Sequence, residues 1–182
     1  VQLVVLPRSL SDTEREWFLK TRNQRTEEVA FALDGVTLVV HKDNPVTQLT
    51  IEQLQGVLGC KIRTWRNLDA KGSPDSLLVV FDQNNSSLLQ FARDSIGNGL
   101  APSARVYAAG ANEKVLEYVA ATPAAIGFIG YNWLSDTQSP RVQAWLKQVR
   151  QVGVAALPNH FVSLEEHPVY KLAAPTKEEL YP

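Results

Sequence analysis

Methionine is absent from the 182 residues, cysteine occurs once and histidine three times. A single cysteine, Cys60, allows no intramolecular disulfide, which excludes a disulfide-stapled secreted scaffold. Its thiol, ahead of Lys61, is read as a small apolar filler rather than a nucleophile. His41, His160 and His167 stand at no metal-ligand spacing to one another or to Cys60, so no metal site is expected. No run approaches the ~18 apolar residues of a membrane span, and no signal peptide is recognisable. The chain opens on Val1-Gln2-Leu3-Val4-Val5-Leu6 without an initiator methionine. It is therefore read as an excised piece or a processed product, and the missing signal peptide says nothing of destination. An excess of charge of one sign is also missing: 18 Lys and Arg stand against 19 Asp and Glu, a net charge of -1. That balance argues against a nucleic-acid partner and against an acidic, solvating tail.

Apolar residues, in contrast, are plentiful at 45%, enough to bury a sizeable core in one domain or one lobe of a larger protein. Their spacing alternates between two periods. Short apolar runs predict strands at Val1 to Leu6, Glu28 to Leu33, Val36 to His41, Leu77 to Phe81, Arg105 to Ala108, Ile126 to Gly130 and Val149 to Leu157. Helical spacing predicts helices from Ser11 to about Asn23, from Thr50 to Gly59, from Ser87 to Ile96, from Asn112 to Ala121 and from Arg141 to Gln148. Ser11 with Glu14, and Thr50 with Gln53, read as capping boxes, and Gly59 reads as a stop. Asp34-Gly35 is a turn, residues 69 to 76 are a loop, and the segment beyond Pro158 is loop-like. Strands alternating with helices place the chain in the α/β class, with a mixed, mostly parallel sheet flanked by helices.

The segment that carries chemistry is Val79-Val80-Phe81-Asp82-Gln83-Asn84-Asn85-Ser86-Ser87-Leu88-Leu89-Gln90-Phe91. An apolar strand ends, small polar residues follow, and a helix begins at once. The first amides of that helix lack intrahelical partners and its dipole makes this end positive. With the serine hydroxyls they form an anion cradle that needs no cationic side chain. The same pattern also describes an ordinary helix cap.

Several stretches resemble the phosphate-binding component of bacterial ABC transporters. They are the strand and turn from Ala30 through Asn44-Pro45-Val46, Leu49-Thr50-Ile51-Glu52-Gln53-Leu54, Gly59-Cys60-Lys61-Ile62-Arg63-Thr64-Trp65, and Ala125-Ile126-Gly127-Phe128 with its neighbours. Pro7-Arg8-Ser9-Leu10 is similar to that family's Ser-Arg-Pro-Leu turn. The resemblance implies a type II periplasmic-binding-protein-like fold, two lobes closing on a ligand about hinge strands. Residues 35–147 would be the second lobe. Residues 1–34 and 148–182 would be remnants of the first lobe with the two hinge strands, Glu28 to Leu33 and Val149 to Leu157. The family's anion loop, Arg-x-x-x-Ser-Gly-Thr, sets Asn85, Ser86 and Ser87 at its last three positions. Phe81 stands where that loop has arginine, and Arg8 is the candidate substitute for its charge. The ligand set implied is Asn85, Ser86, Ser87, Arg8 and Ser9, holding phosphate or a similar oxyanion without cofactor or metal. The implied partner is an ABC permease, and the implied location is the periplasm or, as a lipoprotein, the cell surface of a bacterium.

Other residues suggest other chemistry. Ser86 or Ser87 could serve an α/β hydrolase or a phosphoryl-handling enzyme, but the Gly-x-Ser-x-Gly elbow is missing. The fold could also be reused as a sensor or surface protein. Trp65, Trp133 and Trp145 are expected in packing rather than in a sugar platform. Asp34, Asp82 and Asp136 are expected to bond local backbone in turns. Lys61, Arg63 and Arg66 are expected on a solvated surface, or in contact with a transporter or a second lobe.

Overall fold

Ser11 accepts a hydrogen bond from the Glu14 amide, and the Glu14 carboxylate accepts one from the Ser11 amide. This box starts helix α1, Asp12–Arg22, which Asn23 ends in the left-handed conformation at φ 50°. The computed structural model describes residues 4–6, 9–29, 35–84, 86–97 and 105–155. It divides the chain into two compact units, Val1–Leu33 and Asp34–Pro182. In the first, Glu28 ties the start of α1 to the segment after it. Its carboxylate accepts from the Leu10 amide at 3.1 Å and from Arg15 Nε at 2.8 Å. No residue of α1 is buried, and Trp17 meets Phe18 edge to face. The strand expected over Val1 to Leu6 does not form where it is described: Val4, Val5 and Leu6 lie outside any strand and are 70%, 66% and 43% exposed. An apolar run becomes a buried strand only with neighbours on both sides, and none pairs with it among the described residues. Glu28 and Val29 are likewise outside any strand, and residues 30–34 fall outside the described residues.

The second unit carries the sheet. Its strands are β1 (Val36–His41), β2 (Gln48–Thr50), β3 (Leu78–Phe81), β4 (Val106–Ala108), β5 (Ala125–Gly130) and β6 (Val149–Ala155). They lie in the order β2-β6-β1-β5-β3-β4. β1 is antiparallel to both β5 and β6, while β2 with β6, β3 with β5 and β3 with β4 are parallel. All the strands except β1 therefore run one way. The valine run in β1 and the unbroken apolar β5 are buried on both faces, as centre strands between two helix layers must be.

Four helices cover those faces: α2 (Ile51–Leu58), α3 (Ser87–Phe91), α4 (Asn112–Ala121) and α5 (Pro140–Leu146). Side-chain alternation sorts the core into two layers. Leu38, Val40, Val79, Phe81 and Phe128 pack with Leu54, Val57 and Leu88 on the face of α2 and α3. Val39, Val80 and Ile129 pack with Val115, Leu116, Val119 and Val142 on the face of α4 and α5. Each fully buried valine or leucine contributes about 1.5–3 kcal/mol. Gly127 lets α4 sit close, since a Cβ there would lie 2.6 Å from Val115 Cγ1.

Two details differ from the expectation at the end of α2. The left-handed residue is Cys60, at φ 59°, and not Gly59, at φ -80°. The Cys60 amide donates to Val57 O at 3.1 Å and the Lys61 amide to Gly56 O at 2.8 Å, a Schellman closure with cysteine in the position glycine usually takes. Cys60 is only partly buried, so it is a cap residue rather than core filler. Trp65 is fully buried in the first layer, and Trp133 and Trp145 pack against the second.

Candidate functional site

Because all strands except β1 share a direction, the carboxyl ends of β3, β4 and β5 lie along one edge, with the first turns of the helices that follow β3 and β4. The chain leaves β3 for α3 on one face and leaves β4 for α4 on the other. Between connections that diverge to opposite faces an open α/β sheet has a crevice, and ligands bind there.

On one wall of this crevice is the loop from Asp82 to Ser86. Ser86 is the N-cap of α3, extended at φ -75° and ψ 159°, with its Oγ accepting from the Leu89 amide at 3.2 Å. That bond uses a lone pair, so the Ser86 hydroxyl proton remains available to donate. Ser87 follows as the first helical residue, half-buried. The expected helix from Ser87 to Ile96 is present, but its second half, Ala92–Ile96, is a wider π-helix.

The other wall is the turn before α4. The Ala109 amide donates to Phe81 O at 2.8 Å and the Gly110 amide to Asp82 O at 2.6 Å, locking the two connections together. Gly110 has φ +100°, a conformation side chains other than glycine rarely adopt, and open space where a Cβ would be. Ala111 is the N-cap of α4 and supplies no side-chain bond, so the first amides of this helix are left without a cap. Asn112 Oδ1 instead accepts from the Gly130 amide at 3.1 Å, holding the start of α4 against the end of β5.

Phe81, at the place of the family arginine, is fully buried and stacks on Phe128 at 4.7 Å. Its side chain belongs to the core layer, so no cation reaches the crevice from that position. Lys114 and Arg141, near the same edge, are paired with Glu117 at 2.7 Å and Glu113 at 3.0 Å. Arg141 also lies over the Trp133 ring at 5.1 Å. The donors here are therefore amides and hydroxyls.

Asp82 departs from the expectation set by the sequence. Its expected role in local backbone bonding does not hold, because Oδ1 is buried and has no hydrogen-bond partner. An acceptor left unmade in this way costs about 1–3 kcal/mol unless something donates to it. The only signal in the sequence was a carboxylate directly after a buried strand. Asp136, by contrast, accepts from the Gln138 amide at 3.2 Å as a turn residue should.

Of the residues named from sequence, Ser86 and Ser87 sit together at the crevice. Asn85 and Arg8 lie outside the described residues. Ser9 belongs to the first unit, where its hydroxyl is one of the groups that hold Glu28 low; the larger causes are the hydrogen bond from Arg15 and the Leu10 amide. Two hollows of the first unit are separate from these residues, one lined by Arg15, Glu16, Leu19, Arg25 and Thr26 and one by Thr13, Glu14, Trp17 and Phe18. No group of acidic, histidine and cysteine side chains able to hold a metal occurs among the described residues.

A family model described as a PBP superfamily domain matches residues 1–182. The phosphate-binding protein PstS of Staphylococcus aureus strain USA300 is 26% identical over 127 residues, which is 69% of this chain and 38% of that protein. Among solved structures, an ABC-type phosphate transport receptor from Vibrio cholerae superposes with a TM-score of 0.55 at 23% identity, covering 82% of this chain and 55% of the other. PstS from Borrelia burgdorferi superposes with a TM-score of 0.56 at 18% identity, covering 91% and 60%. These structural likenesses carry the fold. The chain spans only part of each relative's length.

Proposed function

Since this chain belongs to the PBP superfamily, we propose that it is the ligand-holding part of an extracytoplasmic solute-binding protein that captures phosphate or a similar oxyanion for an ABC uptake transporter. The observation that carries the proposal is the meeting, at the carboxyl end of β3, of the Ser86 cap loop with the uncapped start of α4. Amides, a hydroxyl proton and a helix dipole point to an anion. In this reading Ser86, Ser87 and Asn85 donate to the ligand, and Arg8 and Ser9 enter from the resemblance alone. Residues 35–147 form the second lobe. In the same proposal residues 1–34 and 148–182 would supply the two hinge segments and pieces of the first lobe, and the permease is the partner. Periplasmic or surface-lipoprotein placement belongs to the same proposal.

Asp82 sharpens the ligand. A fully deprotonated oxyanion has no hydrogen to offer a carboxylate oxygen, whereas hydrogen phosphate has one. The unpartnered Oδ1 therefore favours phosphate over sulfate. Capture without chemistry needs no general base. His41, the one histidine among the described residues, lies near Asp43 at the opposite edge of the sheet.

The test is calorimetric titration of the protein comprising both lobes with phosphate and then sulfate. The hydroxyl of Ser87 makes no bond among the described residues, so Ser87→Ala should leave stability unchanged and weaken phosphate binding about tenfold, or ~1.4 kcal/mol. A folded two-lobe protein that binds no oxyanion would sink the proposal. Turnover of a phosphate ester, lost on Ser86→Ala, would favour the enzyme reading instead.

A further inference from the structure

The edge of the sheet opposite the crevice is basic. Lys42 follows β1, and Lys147 precedes β6 beside it, joined through the Lys42 amide and Gln148 O at 3.0 Å. Lys61, Arg63 and Arg66 lie in the connection that enters β3, where the Leu77 amide donates to Arg63 O at 2.7 Å. Arg105 precedes β4, its carbonyl accepting from Val79 at 2.9 Å. Strand order places these cations along a strip from β6 to β4, on the order of 20 Å at ~4.8 Å per strand. All six are exposed, and none forms an ion pair among the described residues. Three other cations of this unit are paired with acids, Arg93, Lys114 and Arg141 at 2.6, 2.7 and 3.0 Å, while Arg150 donates to Asn44 O at 3.0 Å. Among the described residues of the strip Asp43, Asp69 and Asp75 oppose the charge, and two of these serve local bonds, to the Lys71 amide and to Ser73. The acids Glu52, Asp82 and Glu113 stand at the crevice edge instead, Glu113 paired there with Arg141 at 3.0 Å.

We infer that this basic strip is a docking surface for an anionic phospholipid membrane. The chain as a whole has a net charge of -1, so attraction to a membrane arises only from this separation of charge. The cations are long, unpaired and spread along a line. They do not converge on a pocket, which suits a diffuse sheet of headgroups better than a single carboxylate. Leu146 and Val106, each 38% exposed, adjoin Lys147 and Arg105 and give the strip an apolar component that can enter the headgroup layer.

Docked in this way, the lobe would hold its crevice a strand length from the lipid, on the order of 20 Å. That exceeds the ~8 Å over which the surface potential of the membrane decays at physiological salt. An anion could then reach the crevice without being repelled by the surface that anchors the protein.

The inference is tested by co-sedimentation of the full chain with vesicles of phosphatidylcholine containing phosphatidylglycerol, against phosphatidylcholine alone. Binding should be at least about tenfold tighter to the anionic vesicles and should disappear at high salt. Joint substitution of Lys42→Gln, Lys61→Gln, Arg66→Gln and Lys147→Gln should abolish the preference. Joint substitution of Lys20→Gln, Arg22→Gln, Arg25→Gln and Arg93→Gln changes the net charge equally and should keep it. Circular dichroism confirms that both variants fold. If the first set lowers expression, Arg66→Glu alone should still weaken binding severalfold. Equal loss in both sets, or no preference for anionic vesicles, overturns the inference. Binding of polyglutamate without vesicle binding would assign the strip to an acidic protein and overturn it as well.

Discussion

Replacing Gly127 with alanine puts one methyl group at the tightest place in the second core layer. A Cβ at this position lies 2.6 Å from Val115 Cγ1, and 2.9 Å from both Val119 Cγ2 and Val39 Cγ2. None of these atoms ends a flexible side chain. All three valines are fully buried, and β-branched side chains are held in one rotamer on a helix. The clash is therefore relieved only if α4 lifts from the sheet or the valines leave their rotamers. Overpacking of this kind costs typically 1–3 kcal/mol, and the backbone gain of alanine over glycine in a strand returns about 0.5–1 kcal/mol. A net loss of about 1–2 kcal/mol is expected, read as a lower urea midpoint with an unchanged slope. The double variant with Val115→Ala should recover part of the loss, because the new methyl fills the space the valine vacated. The coupling should be on the order of 1 kcal/mol. Gly127→Ala at or above wild-type stability, or strict additivity with Val115→Ala, would refute the close packing of α4 on β5.

Three further outcomes are expected. Cys60→Gly removes the left-handed penalty of about 1–2 kcal/mol against a glycine entropy cost of about 0.5–1 kcal/mol, so the melting temperature should rise slightly; a fall would refute the Schellman closure. Glu28 is held below its ordinary value of 4.5, chiefly by the Arg15 hydrogen bond. A depressed carboxylate stabilises above its unfolded value and loses that contribution as pH falls through the folded one, so α1 should melt first on acidification below 4.5. Circular dichroism of Glu28→Gln, in which that acid transition should be missing, checks it. Asp82→Asn should weaken phosphate binding about ten- to a hundredfold, as expected for a bond to a charged acceptor of about 1.5–3 kcal/mol, with little effect on sulfate. An unchanged ratio would remove Asp82 from the ligand's contacts.

The type II binding-protein lobe, with a mixed and mostly parallel sheet between helices, was legible because its local signals agree with its packing. Val36 to His41 is β-branched where a strand must be buried on both faces, and the boxes at Ser11 and Thr50 start helices where their partners predict. Failures came where the outcome depended on neighbours distant in sequence. Val4 to Leu6 has the composition of a buried strand and no partner to bury it among the described residues. β2 is three residues long, too short for a period, and pairs with β6 only because the fold delivers it there. At the site, Ser86 was legible as a cap. Phe81 could be set against the family's arginine, but the sequence could not show that its side chain joins Phe128 in the core. Asp82 could be placed in a turn, but the sequence could not show that its Oδ1 is buried without a partner, because burial of a single oxygen depends on packing and not on a motif.

The opposed direction of β1 has a consequence for how the chain acquires its structure. The first strand of the sheet to be made pairs only with the last two, β5 and β6, across roughly a hundred residues. Until these arrive, both edges of the valine run are open. Ribosomal synthesis therefore exposes an aggregation-prone strand for most of the time the lobe takes to emerge. The late closing of this sheet, rather than the formation of any single helix, should set the folding rate.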